Sequence, residues 1–175
     1  VPRPDSDAGE TSHGGPDPEA LERALKFIDY RPRSSGETRR RLRRYGYETA
    51  NIDEVITHLT EAGILDDGDF GCLFMAELVG KGAGYYRVRS ELGKKLIGRE
   101  LIDELMEAYP MDDELERARA TAERRVGRFD GDAADRAEMK KLATFLVRRG
   151  FSRQVAETAA RLTLRVDTQS GTELE

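Results

Sequence analysis

The sequence predicts an all-α fold: about nine helices, grouped as three tandem three-helix repeats and stacked into an elongated array. Three observations predict it. Apolar residues recur at helical spacing between capping signals, and no segment alternates convincingly at period two. Basic and acidic blocks alternate along the chain. Residues 21–49 hold nine Lys/Arg against four Asp/Glu, 50–80 none against seven, 81–99 six against one, and 100–116 none against eight. Finally, "LRRYGYETANIDEVI" (42–56), "LGKKLIGRELIDELM" (92–106) and "LVRRGFSRQVAETAA" (146–160) align without a gap. Leu42, Leu92 and Leu146 share a register position, as do Tyr47, Ile97 and Phe151, and Ile52, Ile102 and Ala156, at a period of 50 and then 54 residues. A three-helix unit of this size is expected to lean on its neighbours, so one continuous core is predicted.

Each helix has its own signals. Asp17-Pro18 supplies an N-cap and a proline at the first helical position, followed by Leu21, Ala24, Leu25 and Ile28. Ser34 with Glu37 is a capping box opening a second helix with Leu42 and Tyr45 inward, and Gly46 ends it. Asn51 with Glu54 opens a third helix, carrying Val55, Ile56 and Leu59 to a stop at Gly63. Asp66 with Asp69 opens a fourth, with Phe70, Leu73, Phe74 and Leu78 on its apolar face. Further helices are expected near 84–96, 99–108, 112–127, 135–149 and 152–165. The repeats then span 17–64, 65–110 and 111–165, the last with a polar linker at about 128–135, within "RFDGDAADR" (128–136). Residues 1–16 and 166–175 are too polar to bury and read as a disordered N-terminal tail and a flexible C-terminal tail.

Composition removes several classes of function. Charged residues make up 36% and hydrophobic ones 38%, Trp is absent, and the net charge is −5. This is lean for a deep core, and the acidic balance argues against indiscriminate nucleic-acid binding. The single cysteine, Cys72, allows no internal disulfide, fits a reducing cytosol and reads as a small buried apolar residue. No apolar run nears a membrane span and no signal-peptide pattern opens the chain, so a soluble cytoplasmic protein is expected. The missing initiator Met suggests trimming or a fragment.

"GKGAG" (80–84) starts like a phosphate loop. A Walker motif needs Gly, four residues, then Gly-Lys-Ser/Thr; here Gly82 follows Gly80-Lys81, and Met75 sits where the first Gly should be. The glycines read instead as a helix stop. "LDDGDFG" (65–71) misplaces the glycine of a calcium loop. His13 and His58 form no paired-ligand motif, and no nucleophile or acid–base constellation stands out. Neither enzyme chemistry nor a cofactor or metal is expected.

The basic helices offer more. In the repeat register Arg44, Lys94 and Arg148 are equivalent, followed by Tyr45, Lys95 and Arg149. With Leu42 inward, Arg40 and Arg44 point outward. Two readings stay open: a recognition surface with one cation per repeat, or cations placed to favour the helix dipole in each last turn.

The motifs together resemble the RecX family of regulatory proteins. "RPRSSGETRRRL" (31–42) is similar to that family's Arg-x-Arg-Ser…Glu-Leu-x-x-Lys/Arg-Leu, with Thr38 where Leu is usual. "LDDGDF" (65–70) looks like its Leu-Asp-Asp-x-x-Phe, with Gly71 next where Ala is common. Gly82, Arg87, Val88, Glu91, Leu92, Lys95 and Ile97 fit its Gly-rich segment. Leu96 there replaces the usual Gly and implies a less sharply stopped helix, and Glu77 stands where a basic residue is frequent. "LVRRGFS" (146–152) looks like the third-repeat signature. The resemblance covers roughly residues 20–165. It implies a curved, monomeric array without chemistry of its own, which modulates the RecA recombinase or its DNA filament, usually by inhibition. The surface to test is Arg40, Arg44, Arg87, Lys94, Lys95, Arg148 and Arg149. A helical-repeat protein binding DNA independently of RecA is the alternative, and a scaffold holding peptides in its concave face is a third reading.

Overall fold

A computed structural model describes residues 15–126 and 136–164. The expected linker at 128–135, the C-terminal tail and nearly all of the N-terminal tail lie outside them. Among the described residues there are nine α-helices and no strand: α1 (Pro18–Asp29), α2 (Ser35–Arg44), α3 (Thr49–Glu61), α4 (Asp67–Gly80), α5 (Tyr85–Lys94), α6 (Arg99–Glu107), α7 (Glu114–Val126), α8 (Arg136–Arg148) and α9 (Arg153–Leu164). None is long and apolar enough to cross a membrane.

The chain divides into two units, Val1–Asp66 and Asp67–Glu175. In the first, Asp17 caps α1 by accepting from the Glu19 and Ala20 amides at 2.8 and 2.9 Å. Ser34 and Glu37 complete the capping box of α2 in both directions. The opening expected at Asn51 is displaced: α3 starts at Thr49, with Glu48 at the cap position and no side-chain cap. Ile52, Val55, Ile56 and Leu59 join Ala20, Ala24, Leu42 and Leu65 in one core.

The second unit holds α4–α9 and two further cores. One is built on Met75, Val88, Leu92, Ile97, Ile102, Leu105 and Met106. The other is lined with alanines (Ala118, Ala122, Ala156, Ala159 and Ala160) around Leu146 and Phe151, so α7, α8 and α9 pack with little side-chain bulk between them. Each triplet thus buries its own core, in place of the single continuous one expected. Leu42, Leu92 and Leu146, all 0% exposed, anchor the three in turn.

α4 departs most from its sequence reading. Leu73, placed on the apolar face, is 73% exposed, and Cys72 is exposed as well. The buried face is Gly71 and Met75, with Phe70, Phe74 and Leu78 half-buried against the core. The helix is apolar on most sides, so periodicity alone could not choose the inward one. Leu25 and Tyr45 are likewise more exposed than expected.

The register extends to the backbone at the ends of the second helices. Gly46, Leu96 and Gly150 all take positive φ, at 91°, 59° and 91°. Leu96 therefore takes the same left-handed turn that glycine takes in the other two. The cost of left-handed backbone in a residue with a Cβ is about 1–2 kcal/mol.

Candidate functional site

Arg44, Lys94 and Arg148 are the last residues of α2, α5 and α8, and all three side chains are exposed. Lys94 donates to Glu91 Oε1 at 2.9 Å across one turn. Arg40 is exposed on α2. Lys95 is half-buried, its ammonium 4.9 Å from the centre of the Phe74 ring. The remaining two, Arg87 and Arg149, belong to a different setting, the joint between the second and third repeats.

At that joint α5 has no side-chain cap of its own. Fifty residues after Ser34 and Glu37, the capping box of α2, stand Gly84 and Arg87. Gly84 has no side chain to accept an amide, and Arg87 replaces the carboxylate that would reach back. The third repeat supplies the missing acceptors. Tyr85 N–H donates to Glu114 Oε1 at 3.0 Å, and Tyr86 N–H donates to the Gly150 carbonyl at 3.0 Å. Gly84 N–H donates to the Arg149 carbonyl at 2.9 Å. Glu114 is buried at the start of α7 and also accepts from the Tyr109 hydroxyl at 3.4 Å. Burial raises the Tyr109 phenol above its ordinary pKa, with Arg117 opposing.

The "GKGAG" question has a direct answer in these bonds. The amides of Lys81, Gly82 and Ala83 bind the Glu77, Val79 and Leu78 carbonyls, and those of Gly84, Tyr85 and Tyr86 bind the third repeat. None is left to wrap a phosphate. Gly84 is required because a Cβ there would strike the Gly150–Phe151 backbone.

Arg149 extends over this joint. Its Nη2 donates to the Lys81 carbonyl at 2.6 Å. Burial, and then the neighbouring guanidiniums of Arg87 and Arg124, lower its pKa from the ordinary arginine value. Arg124, on α7, donates to Thr121 Oγ1 at 3.3 Å and lies over Gly82. Sequence reasoning missed Arg124 because it falls outside the aligned windows, and no local motif marks it.

The "RPRS" segment has another role. Arg31 and Arg33 approach Glu37 Oε1 at 3.2 and 3.7 Å, while Ser34 and Glu37 are buried. Thr38 is fully buried, and its hydroxyl donates to the Ser34 carbonyl at 3.0 Å. These residues clamp the start of α2. Beside them Arg33 and Arg41 lie 4.1 and 5.6 Å from the centre of the Phe27 ring. Together with Glu19, Glu22, Arg23, Lys26, Tyr30 and Tyr45, these three residues line a cleft of about 560 Å³ of mixed charge. Among the described residues no group of three or more His, Cys, Asp or Glu side chains could hold a metal.

Comparison with known proteins fits this arrangement. The family model for the first three-helix domain of RecX matches residues 20–59, and that for the third matches 112–159. The curated regulatory protein RecX of Halorhodospira halophila is 36% identical over 137 residues, covering 78% of this chain and 83% of its own. The chain belongs to the RecX family. The RecX of Trichlorobacter lovleyi is 33% identical, covering 73% of this chain and 84% of its own. The crystal structure of RecX from Lactobacillus salivarius superposes with a TM-score of 0.72 at 20% identity, over 83% of this chain and 94% of that one, and shows the shared fold. In this chain the family-like segments turn out to be largely architectural. "RPRS…E" locks α2, and "GKGAGYYR" builds the joint.

Proposed function

We propose that this protein binds the RecA recombinase or its DNA filament and restrains filament growth, ATP hydrolysis and strand exchange. Membership of a regulatory family over most of the chain carries the reading. Support comes from the exposed cations Arg44, Lys94 and Arg148, one at the end of each second helix. Such cations steer a protein toward an anionic filament while the acidic blocks between them disfavour indiscriminate DNA coating. The test is DNA-dependent ATP hydrolysis by the cognate RecA, titrated with this protein. Inhibition at concentrations too low to coat the DNA is expected. Arg44→Glu, Lys94→Glu and Arg148→Glu together should weaken it about tenfold or more while leaving helical circular dichroism unchanged, since all three side chains are exposed. An unaffected RecA would reject the reading. Undiminished inhibition by the folded triple variant would reject the surface.

A further inference from the structure

Most arginines near a carboxylate in this molecule use it: Arg23 pairs with Glu19, Arg39 with Asp53, Arg89 with Asp103 and Arg153 with Glu157. The joint between the last two repeats is different. Arg87, Arg124 and Arg149 arrive there from α5, α7 and the end of α8, and among the described residues none of the three forms an ion pair with a carboxylate. Two of them converge on one turn. Arg149 Nη2 lies 2.6 Å from the Lys81 carbonyl, and a Cβ on Gly82 would sit 3.0 Å from Arg124 Nη2. Arg87 is held beside them, because its backbone abuts Gly150, the residue after Arg149. Arg149 Nε is buried without a hydrogen-bond partner among the described residues. Three like charges gathered with no carboxylate paired to them among the described residues repel one another, and burial adds to the cost for Arg149.

We propose that Arg87, Arg124 and Arg149 form a subsite for a phosphodiester of a single-stranded nucleic-acid backbone. Guanidinium forks match phosphate oxygens and stay charged, which suits a group of three better than lysine would. A free polyphosphate fits less well, because the backbone amides of the turn are all committed within the protein and cannot wrap one. A chain phosphate needs only to be gripped from one side. The exposed Tyr86 ring stands at the same joint, where its own N–H bonds Gly150, and offers a face on which a base can stack.

The test uses the full chain, a short fluorescent oligodeoxythymidylate and a series of salt concentrations, with no RecA present. Arg87→Gln and Arg124→Gln should each weaken binding about three- to tenfold and reduce the slope of log affinity against log salt by about 0.7. Arg161→Gln, which removes an exposed charge from α9, controls for net charge and should change much less. Arg149 is left intact because it also holds the Lys81 carbonyl, and melting curves confirm that the variants fold. Equal effects from all three variants would overturn the subsite. Binding of inorganic pyrophosphate that both joint variants abolish, without oligonucleotide binding, would overturn the nucleic-acid assignment. Since RecA is absent, neither result depends on whether the protein inhibits RecA.

Discussion

The second helices of the first two repeats meet the same need in two ways. α2 caps itself: Ser34 Oγ accepts from the Glu37 amide at 3.0 Å, and the Glu37 side chain returns to the Ser34 amide at 3.4 Å. α5, with Gly84 and Arg87 at the matching positions, takes its acceptors from Glu114 and Gly150 of the following repeat. The difference predicts where the repeats are coupled. A self-capped repeat has its local backbone satisfied without help, and the first triplet forms a unit of its own. A repeat that borrows its caps is tied to its donor, and the second and third triplets share one unit.

The most damaging way to break the comparison is to force the borrowed joint apart. Gly150 has positive φ, and a Cβ on it would fall on the Arg87 backbone, so Gly150→Ala must both strain the stop and separate α5 from α8. A loss of about 3–5 kcal/mol is expected in urea denaturation, from left-handed strain together with overpacking. Gly46→Ala carries the strain alone, since nothing lies within 4 Å of its Cβ position, and should cost about 0.5–1 kcal/mol once the lost freedom of glycine in the unfolded chain is subtracted. Equal losses would mean that the joint yields freely and is not the tie between the repeats.

That contrast also shows what the sequence could reveal. The stops at Gly46 and Gly63, the capping box at Ser34 and the buried leucines at 42, 92 and 146 were legible, because each depends on residues close in the chain. The repeated ion pair was within reach of the same register. Arg39 pairs with Asp53, and Arg89 with Asp103, 50 residues on. In the third repeat Ala143 takes the arginine position, and Glu157 pairs instead with Arg153 at 2.9 Å. The cluster at the joint was only partly legible. Arg87 and Arg149 carry a repeat register, but their meeting with Arg124 depends on packing between repeats, which no local period encodes. The faces of Cys72 and Leu73 were misread for a related reason: on an apolar helix the neighbours, not the pattern, decide what is buried.

A gentler test removes one cap of each kind. Glu114→Ala strips the acceptor from the Tyr85 amide in a buried setting and should cost about 1–3 kcal/mol, while Glu114→Gln, which keeps an oxygen in place, should cost less. Ser34→Ala should cost about 1 kcal/mol. Hydrogen exchange separates the two. The Ser34 variant should speed exchange only in the first unit, and the Glu114 variant should speed it in both α5 and α7. Faster exchange confined to α5 in the Glu114 variant would show that the third repeat does not depend on the cap it lends.

The smallest effect has the opposite sign. Leu96 adopts the left-handed stop at φ 59° and is 39% exposed, so it gains little burial in return for its strain. Leu96→Gly relieves about 1–2 kcal/mol of backbone strain, but gives back about 0.4–1 kcal/mol through the greater freedom of glycine in the unfolded chain. The balance favours the variant by about 0.5–1 kcal/mol, less whatever contact the leucine side chain makes. A higher urea midpoint with an unchanged slope is therefore expected. A lower midpoint would mean that the Leu96 side chain contributes more to the second repeat than its exposure indicates, and that the residue is retained there for packing.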